Sequence, residues 1–176
     1  MFCLREPERV AIERVLDRGG VVTDRGRAGN EDHNRALLGV DCFDAARRAV
    51  AEWRMFETGW TRVAWPSARI ERGVLVAAVI RHLGFWSVNP ARIIEVIDEP
   101  RRFGFTYATV EGHAEQGREQ FLVERLENGE VWYDLRAFSL PRHWLAWIGY
   151  PVTRYLQKRF ARDSMRAMQR SVLSQI

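Results

Sequence analysis

The chain has 176 residues, of which 47% are hydrophobic and 28% charged, a balance that excludes a disordered or fibrous protein and fits one domain with a real core. The longest apolar run, Val74 to Ile80, falls far short of the ~20 residues that a membrane-crossing helix needs, and the N-terminus MFCLREPERV has no apolar leader, so a cytoplasmic location is expected. The formal charge of +4 conceals an asymmetry: from Arg142 onward Arg142, Arg154, Lys158, Arg159, Arg162, Arg166 and Arg170 face Asp163 alone.

In chain order, Pro7 opens a short helix carrying Ala11, Ile12, Val15 and Leu16, which stops at Gly19-Gly20. The polar, glycine-containing stretch Thr23 to Asn34 reads as a flexible loop. Asp41 then reads as the N-cap of a second helix, with Phe43, Ala46, Val50 and Trp53 on one face and Gly59 at its end.

From Trp60 to Ser139 the period changes to two. Strands are predicted over 60–65, 74–82, 92–98, 102–110, 118–126 and 130–139, with short links that make the sheet antiparallel. Asn128-Gly129 is the strongest turn signal; as a two-residue type I′ turn it pairs Leu126 with Val131, Val123 with Asp134 and Phe121 with Arg136. After Pro141 the helical period returns, and Pro151 is expected to start or kink a long last helix with Leu156, Phe160 and Met168 toward the sheet. The pattern is α+β: a single domain over 1–176, with a helix and flexible loop over 1–34 and a core over 35–176. In that core a curved antiparallel sheet of about six to seven strands wraps the C-terminal helix.

Five segments in order, WRMFETGW (53–60), RHLGFWSVNPARI (81–93), FGFTYATVEGHAEQGREQFLVE (103–124), VWYDLRAFSLPRH (131–143) and GYPVTRYLQKRFARDSMRAM (149–168), resemble the bacterial and plant uncharacterised protein family 0548, a domain of unknown function. That family resembles in turn the START-like, or birch-pollen-allergen-like, helix-grip proteins. The resemblance implies a curved sheet closing on a long C-terminal helix around an apolar cavity, and it implies no particular reaction.

Chemistry has to be sought residue by residue. His113 and Glu115 in GHAEQGREQF carry the His-x-Glu of a zinc deaminase, but the downstream Pro-Cys-x-x-Cys is missing and Cys3 and Cys42 lie singly, far upstream. No metal site and no cofactor are therefore expected, and the two cysteines read as packing residues. Phosphate-cradling glycine loops, nucleophile elbows and H-E-x-x-H are absent, and no nucleophile is nominated, so the catalytic residues stay unknown.

The ligand-binding candidates are His82, Asn89 and Arg92 around the Asn89-Pro90 turn, Tyr107, His113 in its glycine-bracketed loop, and Trp132, Tyr133, Asp134 and Arg136 on the last hairpin. His82 shares its alternation with Val76, Ala78 and Ile80, so it points inward if that row does. Phe121, Val123, Trp132, Asp134 and Arg136 are expected on one face, either lining a pocket or lying outside with Tyr133 turned inward instead. The leading expectation is an internal cavity that binds an apolar or amphipathic small molecule. A second is acid/base chemistry on such a ligand by His82, Tyr107, His113 and Tyr133, at least two of which should converge. A third is binding of nucleic acid or an acidic partner through Arg154, Lys158, Arg162, Arg166 and Arg170, which recur every four residues; the lack of aromatics around that stripe makes nucleic acid unlikely as a partner.

Overall fold

Alternation of apolar and polar residues with a period of two forces a strand to bury one face, and in this chain seven such strands share one antiparallel sheet. A computed structural model describes residues 2–16, 30–82, 84–110, 115–141 and 144–175. The strands are β2 (Asn30–Val40), β3 (Thr61–Val63), β4 (Leu75–Arg81), β5 (Trp86–Glu99), β6 (Arg102–Thr109), β7 (Glu115–Arg125) and β8 (Glu130–Pro141), in the spatial order β2-β8-β7-β6-β5-β4-β3. A two-residue strand β1 (Phe2–Cys3) adds to the end of β5. The helices are α1 (Arg9–Leu16), α2 (Phe43–Ala51) and α3 (Trp144–Leu173).

Along the seven-strand order, hairpins account for every neighbour pair except one: β2, the first long strand, lies beside β8, the last. Register shifts between Ile93 and Glu95 on β5 and between Leu37 and Gly39 on β2 insert bulges, which bend strands and coil the sheet. Gly104 allows a close approach in the middle: a Cβ there would stand 2.1 Å from the Phe121 carbonyl oxygen of β7. The curled sheet is thus a half-barrel closed by α3, as the sequence pattern predicts.

The concave face carries the main core. Ile93, Phe105, Phe121, Val123 and Tyr133 from the sheet meet Val50, Trp53 and Phe56 from the α2 region and Met168 from α3. On the opposite face α1 covers a smaller cluster of Ile12, Ala77, Val79 and Val88. The Trp53 indole, nearly fully buried, donates to the Ala68 carbonyl at 2.8 Å, so its one polar group is satisfied.

Five local expectations need correction. Asn89-Pro90 is not a turn: both residues lie within β5, paired with Ala78 and Ala77 of β4. Residues 30–34 do not belong to a flexible loop: they form the first half of β2. Asp41 is not the N-cap of α2; it sits at φ 53° and its N–H donates to the Gly129 carbonyl, while Cys42 occupies the cap position. The helix stops at Ala51, well before Gly59, because Trp53 adopts a left-handed conformation and a 3-10 turn, Arg54–Phe56, follows.

The β7–β8 hairpin is shifted by one residue from the predicted pairing. Arg125 pairs with Val131, Val123 with Tyr133 and Phe121 with Leu135, because Leu126 and Glu130 close a three-residue loop with Gly129 at φ 85°. A glycine in that conformation suits a loop one residue longer than the two-residue turn. A one-residue slip exchanges the faces of one strand relative to the other, so Phe121 and Val123 share their face with Tyr133 and not with Asp134.

Candidate functional site

The concave face is not evenly filled. Toward the β2 edge, between β2, β8 and β7 on one side and α3 on the other, a groove of about 560 Å³ remains open. That size is within the range of small-molecule sites. Its apolar wall is Leu135 and Ala137 from β8 with Phe160, Ala161 and Met165 from α3. Polar groups stand at its margins: Asp32 and Asn34 on β2, Glu119 on β7, and Gln157, Lys158 and Arg162 on α3.

Local sequence explains the arrangement. On β2, Asp32, Asn34 and Ala36 pair with Ala137, Leu135 and Tyr133, so they point to the concave side although two of them are polar. Polar residues are tolerated there because they face the groove and not packed core. On β7, Glu119 occupies the same inward row as Phe121 and Val123, one step beyond the aromatic core.

The Tyr107 hydroxyl donates to Glu119 Oε2 at 2.6 Å. Burial raises the Tyr107 pKa well above the ordinary value, and the Glu119 carboxylate raises it further. Tyr107 therefore stays protonated and acts as a donor that holds the carboxylate at the inner end of the groove.

Contacts along α3 fix the helix over the sheet. Arg154 makes a two-armed bond to Asp32, with Nη1 on Oδ2 and Nη2 on Oδ1 at 2.8 Å. The guanidinium bond holds the Asp32 pKa below the usual carboxylate value against the opposing effect of burial. In the middle, the Tyr133 and Ser164 hydroxyls lie 2.9 Å apart, both fully buried. Burial pushes the Tyr133 pKa far up. At the β3 end, Trp60 Nε1 donates to Asp163 Oδ2 at 3.0 Å with Arg159 stacked on the indole.

The residues singled out from the sequence occupy several separate places. Tyr107 and Tyr133 face the concave interior, and Tyr107 bonds the groove residue Glu119. His82 lies at the far end of β4, on the same side as the inward row, where Nε2 is 2.8 Å from Ser87 Oγ; Asn89 Nδ2 donates to that oxygen at 3.0 Å. The His82 ring stacks on Phe85, and burial lowers its pKa. This trio does not border the groove.

Arg92 is on the outer face and donates to the Gly73 carbonyl. Trp132, Asp134 and Arg136 also lie on the outer face, since the rows of Val131, Tyr133 and Leu135 are the buried ones. Asp134 is buried there between His33, whose Nε2 is 2.6 Å from Oδ1, and Arg35, whose Nε is 3.2 Å from Oδ2. Trp132 bonds Glu130 and lies beneath the Arg35 guanidinium. His113 lies outside the described residues. Among the described residues no group of three or more His, Cys, Asp or Glu side chains is assembled as a metal ion would require. The described helices include none long and apolar enough to cross a membrane.

Sequence reasoning did not single out Glu119, Asp32 or Asn34 as binding residues. The signal for Glu119 was its place in the alternation with Phe121 and Val123, a carboxylate where a core residue is due.

Comparison with known proteins agrees with this architecture. Residues 23–167 match the domain of unknown function DUF1990. A UPF0548 protein of Dictyostelium discoideum, a eukaryote, is 34% identical over 146 residues, which cover 76% of this chain and 68% of that protein. Among solved structures, a Thalictrum norcoclaurine synthase point mutant in complex with a transition-state analogue superposes with a TM-score of 0.57 at 13% identity, covering 84% of this chain and 96% of the other. The protein Ara h 8.0201 superposes with a TM-score of 0.51 at 12% identity over 84% of this chain and 99% of the other. At such identities the likeness is one of fold, the helix-grip fold that the sequence pattern implies.

Proposed function

This chain belongs to the DUF1990 family of UPF0548 proteins, and on that premise we propose that it binds an apolar or amphipathic small molecule in the groove between β2, β8, β7 and α3. The observation that carries the reading is the groove itself: about 560 Å³ left open on the concave face, beside a core of aromatic and aliphatic side chains. The groove is open to solvent, and Leu135, Phe160 and Met165 on its wall offer apolar surface from which a ligand would displace water.

Binding is favoured over acid/base catalysis by the state of the interior hydroxyls. Tyr107 and Tyr133 hold their protons firmly and are committed to Glu119 and Ser164, and His82 belongs to a different cluster. In that state they act as fixed donors that position neighbouring groups. A nucleic-acid role through the α3 stripe is disfavoured by the same kind of accounting: Arg154 is tied to Asp32, Arg162 and Arg166 lean on Asp163, and Arg170 reaches the Glu57 carbonyl.

Titration with Nile red, an uncharged dye that brightens in apolar surroundings, tests the reading. Saturable, one-to-one binding is expected. A protein that leaves the dye as dim as in buffer contradicts it.

A further inference from the structure

Lys158 is the single lysine of a chain whose other 26 basic residues are arginines (27 less one), and it lies on the lip of the groove. Its ammonium has no hydrogen bond or carboxylate partner among the described residues, in contrast to its neighbours on α3. Its charge helps to lower the Asp32 pKa, but both Asp32 oxygens are bonded by Arg154. One turn further along α3, Arg162 lines the same groove. The Asp163 that it contacts is shared with Arg159, Arg166 and the Trp60 indole, so four donors draw on one carboxylate. Lys158 is therefore the cation of the lip without a fixed partner among the described residues.

Inside the lip the wall is apolar: Leu135, Ala137, Phe160, Ala161 and Met165. An uncharged ligand would satisfy that wall and leave Lys158 unanswered. A ligand with an apolar body and an anionic end satisfies both, the body replacing water over the wall and the head accepting hydrogen bonds from the ammonium.

Resting on the binding reading above, we propose that the ligand is an anionic amphiphile whose carboxylate or phosphate head is held by Lys158, with Arg162 adding to the field. The head stays at the rim beside Lys158, and the tail lies over Leu135, Phe160 and Met165.

The test is displacement of Nile red from the full chain by decanoate, decyl phosphate and decanol, in the native protein and in Lys158→Met and Lys158→Arg. An anion-assisted hydrogen bond at a part-shielded site corresponds to about a tenfold preference. At least one of the two acids should displace the dye at a concentration about tenfold lower than decanol, and which one does so separates a carboxylate from a phosphate head. Lys158→Met should bring acid and alcohol within about twofold while Nile red still binds, and Lys158→Arg should keep most of the preference. Decanol as effective as both acids, or an undiminished preference in Lys158→Met, overturns the proposal and leaves the binding reading standing. Failure of Nile red to bind the native protein overturns both. Reductive methylation with carbon-13 formaldehyde labels this lone lysine, and its methyl resonance should shift on saturation with the preferred acid; an unmoved resonance also overturns the proposal.

Discussion

Tyr107 on β6 and Glu119 on β7 are directly paired across the sheet, and the tyrosine hydroxyl bonds the carboxylate at 2.6 Å where the aromatic core gives way to the groove. Removing that hydroxyl leaves a half-buried carboxylate with one donor fewer. Tyr107→Phe should lower stability by about 1–3 kcal/mol in urea denaturation, because the loss includes the desolvation cost of a charged acceptor. An unchanged midpoint would mean that the bond is incidental.

The same burial makes alkaline stability a signature of the fold. Tyr107 and Tyr133 have folded pKa values raised above the ordinary value of about 10, so the folded state keeps their protons longer than the unfolded state does. Their contribution is complete below about pH 10 and is lost as pH rises beyond it. Absorbance at 295 nm should show these two tyrosines ionising only with unfolding, and Tyr133→Phe should remove part of the alkaline slope. Four tyrosines titrating together near the ordinary value would refute this.

Asp32 and Arg154 tie the edge strand β2 to α3 and thereby set the width of the groove. Both side chains keep some solvent contact, 30% and 19%, so screening limits the pair to a coupling of about 1 kcal/mol. The lowered Asp32 pKa makes this contribution present above the unfolded carboxylate value of about 3.9 and lost as pH falls through the folded value. A double-mutant cycle with Asp32→Asn and Arg154→Met should give that coupling at pH 7 and none in strong acid. Zero coupling at pH 7 contradicts the tie.

Much of the fold was legible because the strands between Thr61 and Arg125 alternate cleanly, and because Phe105, Phe121, Tyr133 and Met168 mark the buried rows at the right period. β2 was not legible because Asn30 to Arg35 carry polar side chains on both faces, one facing outward and the other facing the groove. A strand that lines a wet groove has the composition of a loop. The hairpin register was missed because Asn-Gly serves both two-residue and three-residue loops, and only the pairing of Leu126 with Glu130 decides between them. Of the candidate site, Tyr107 and the α3 cations were visible as residue types. Tyr107 meets Glu119 through the β6–β7 pairing, whereas the meeting of Arg154 with Asp32 depends on the β2–β8 closure, which no local pattern announces.

Gly104 offers a check on the curvature. With a Cβ 2.1 Å from a backbone oxygen and 2.8 Å from Leu122 Cα, the neighbours cannot yield by moving a side chain. Gly104→Ala should cost about 3 kcal/mol or more, at or beyond the top of the usual overpacking range. A thermal midpoint within a degree or two of the native protein would show that β6 and β7 do not approach so closely.

The central claim, that the groove beside α3 is the binding site, is tested most directly by filling it. Ala161 is almost fully buried on the groove wall, so Ala161→Trp places an indole in the space that a ligand would take. The account predicts a variant with native circular dichroism whose affinity for Nile red falls by at least about tenfold, a loss on the order of 1.4 kcal/mol. Native affinity in a folded Ala161→Trp protein would place the binding site elsewhere and contradict the account.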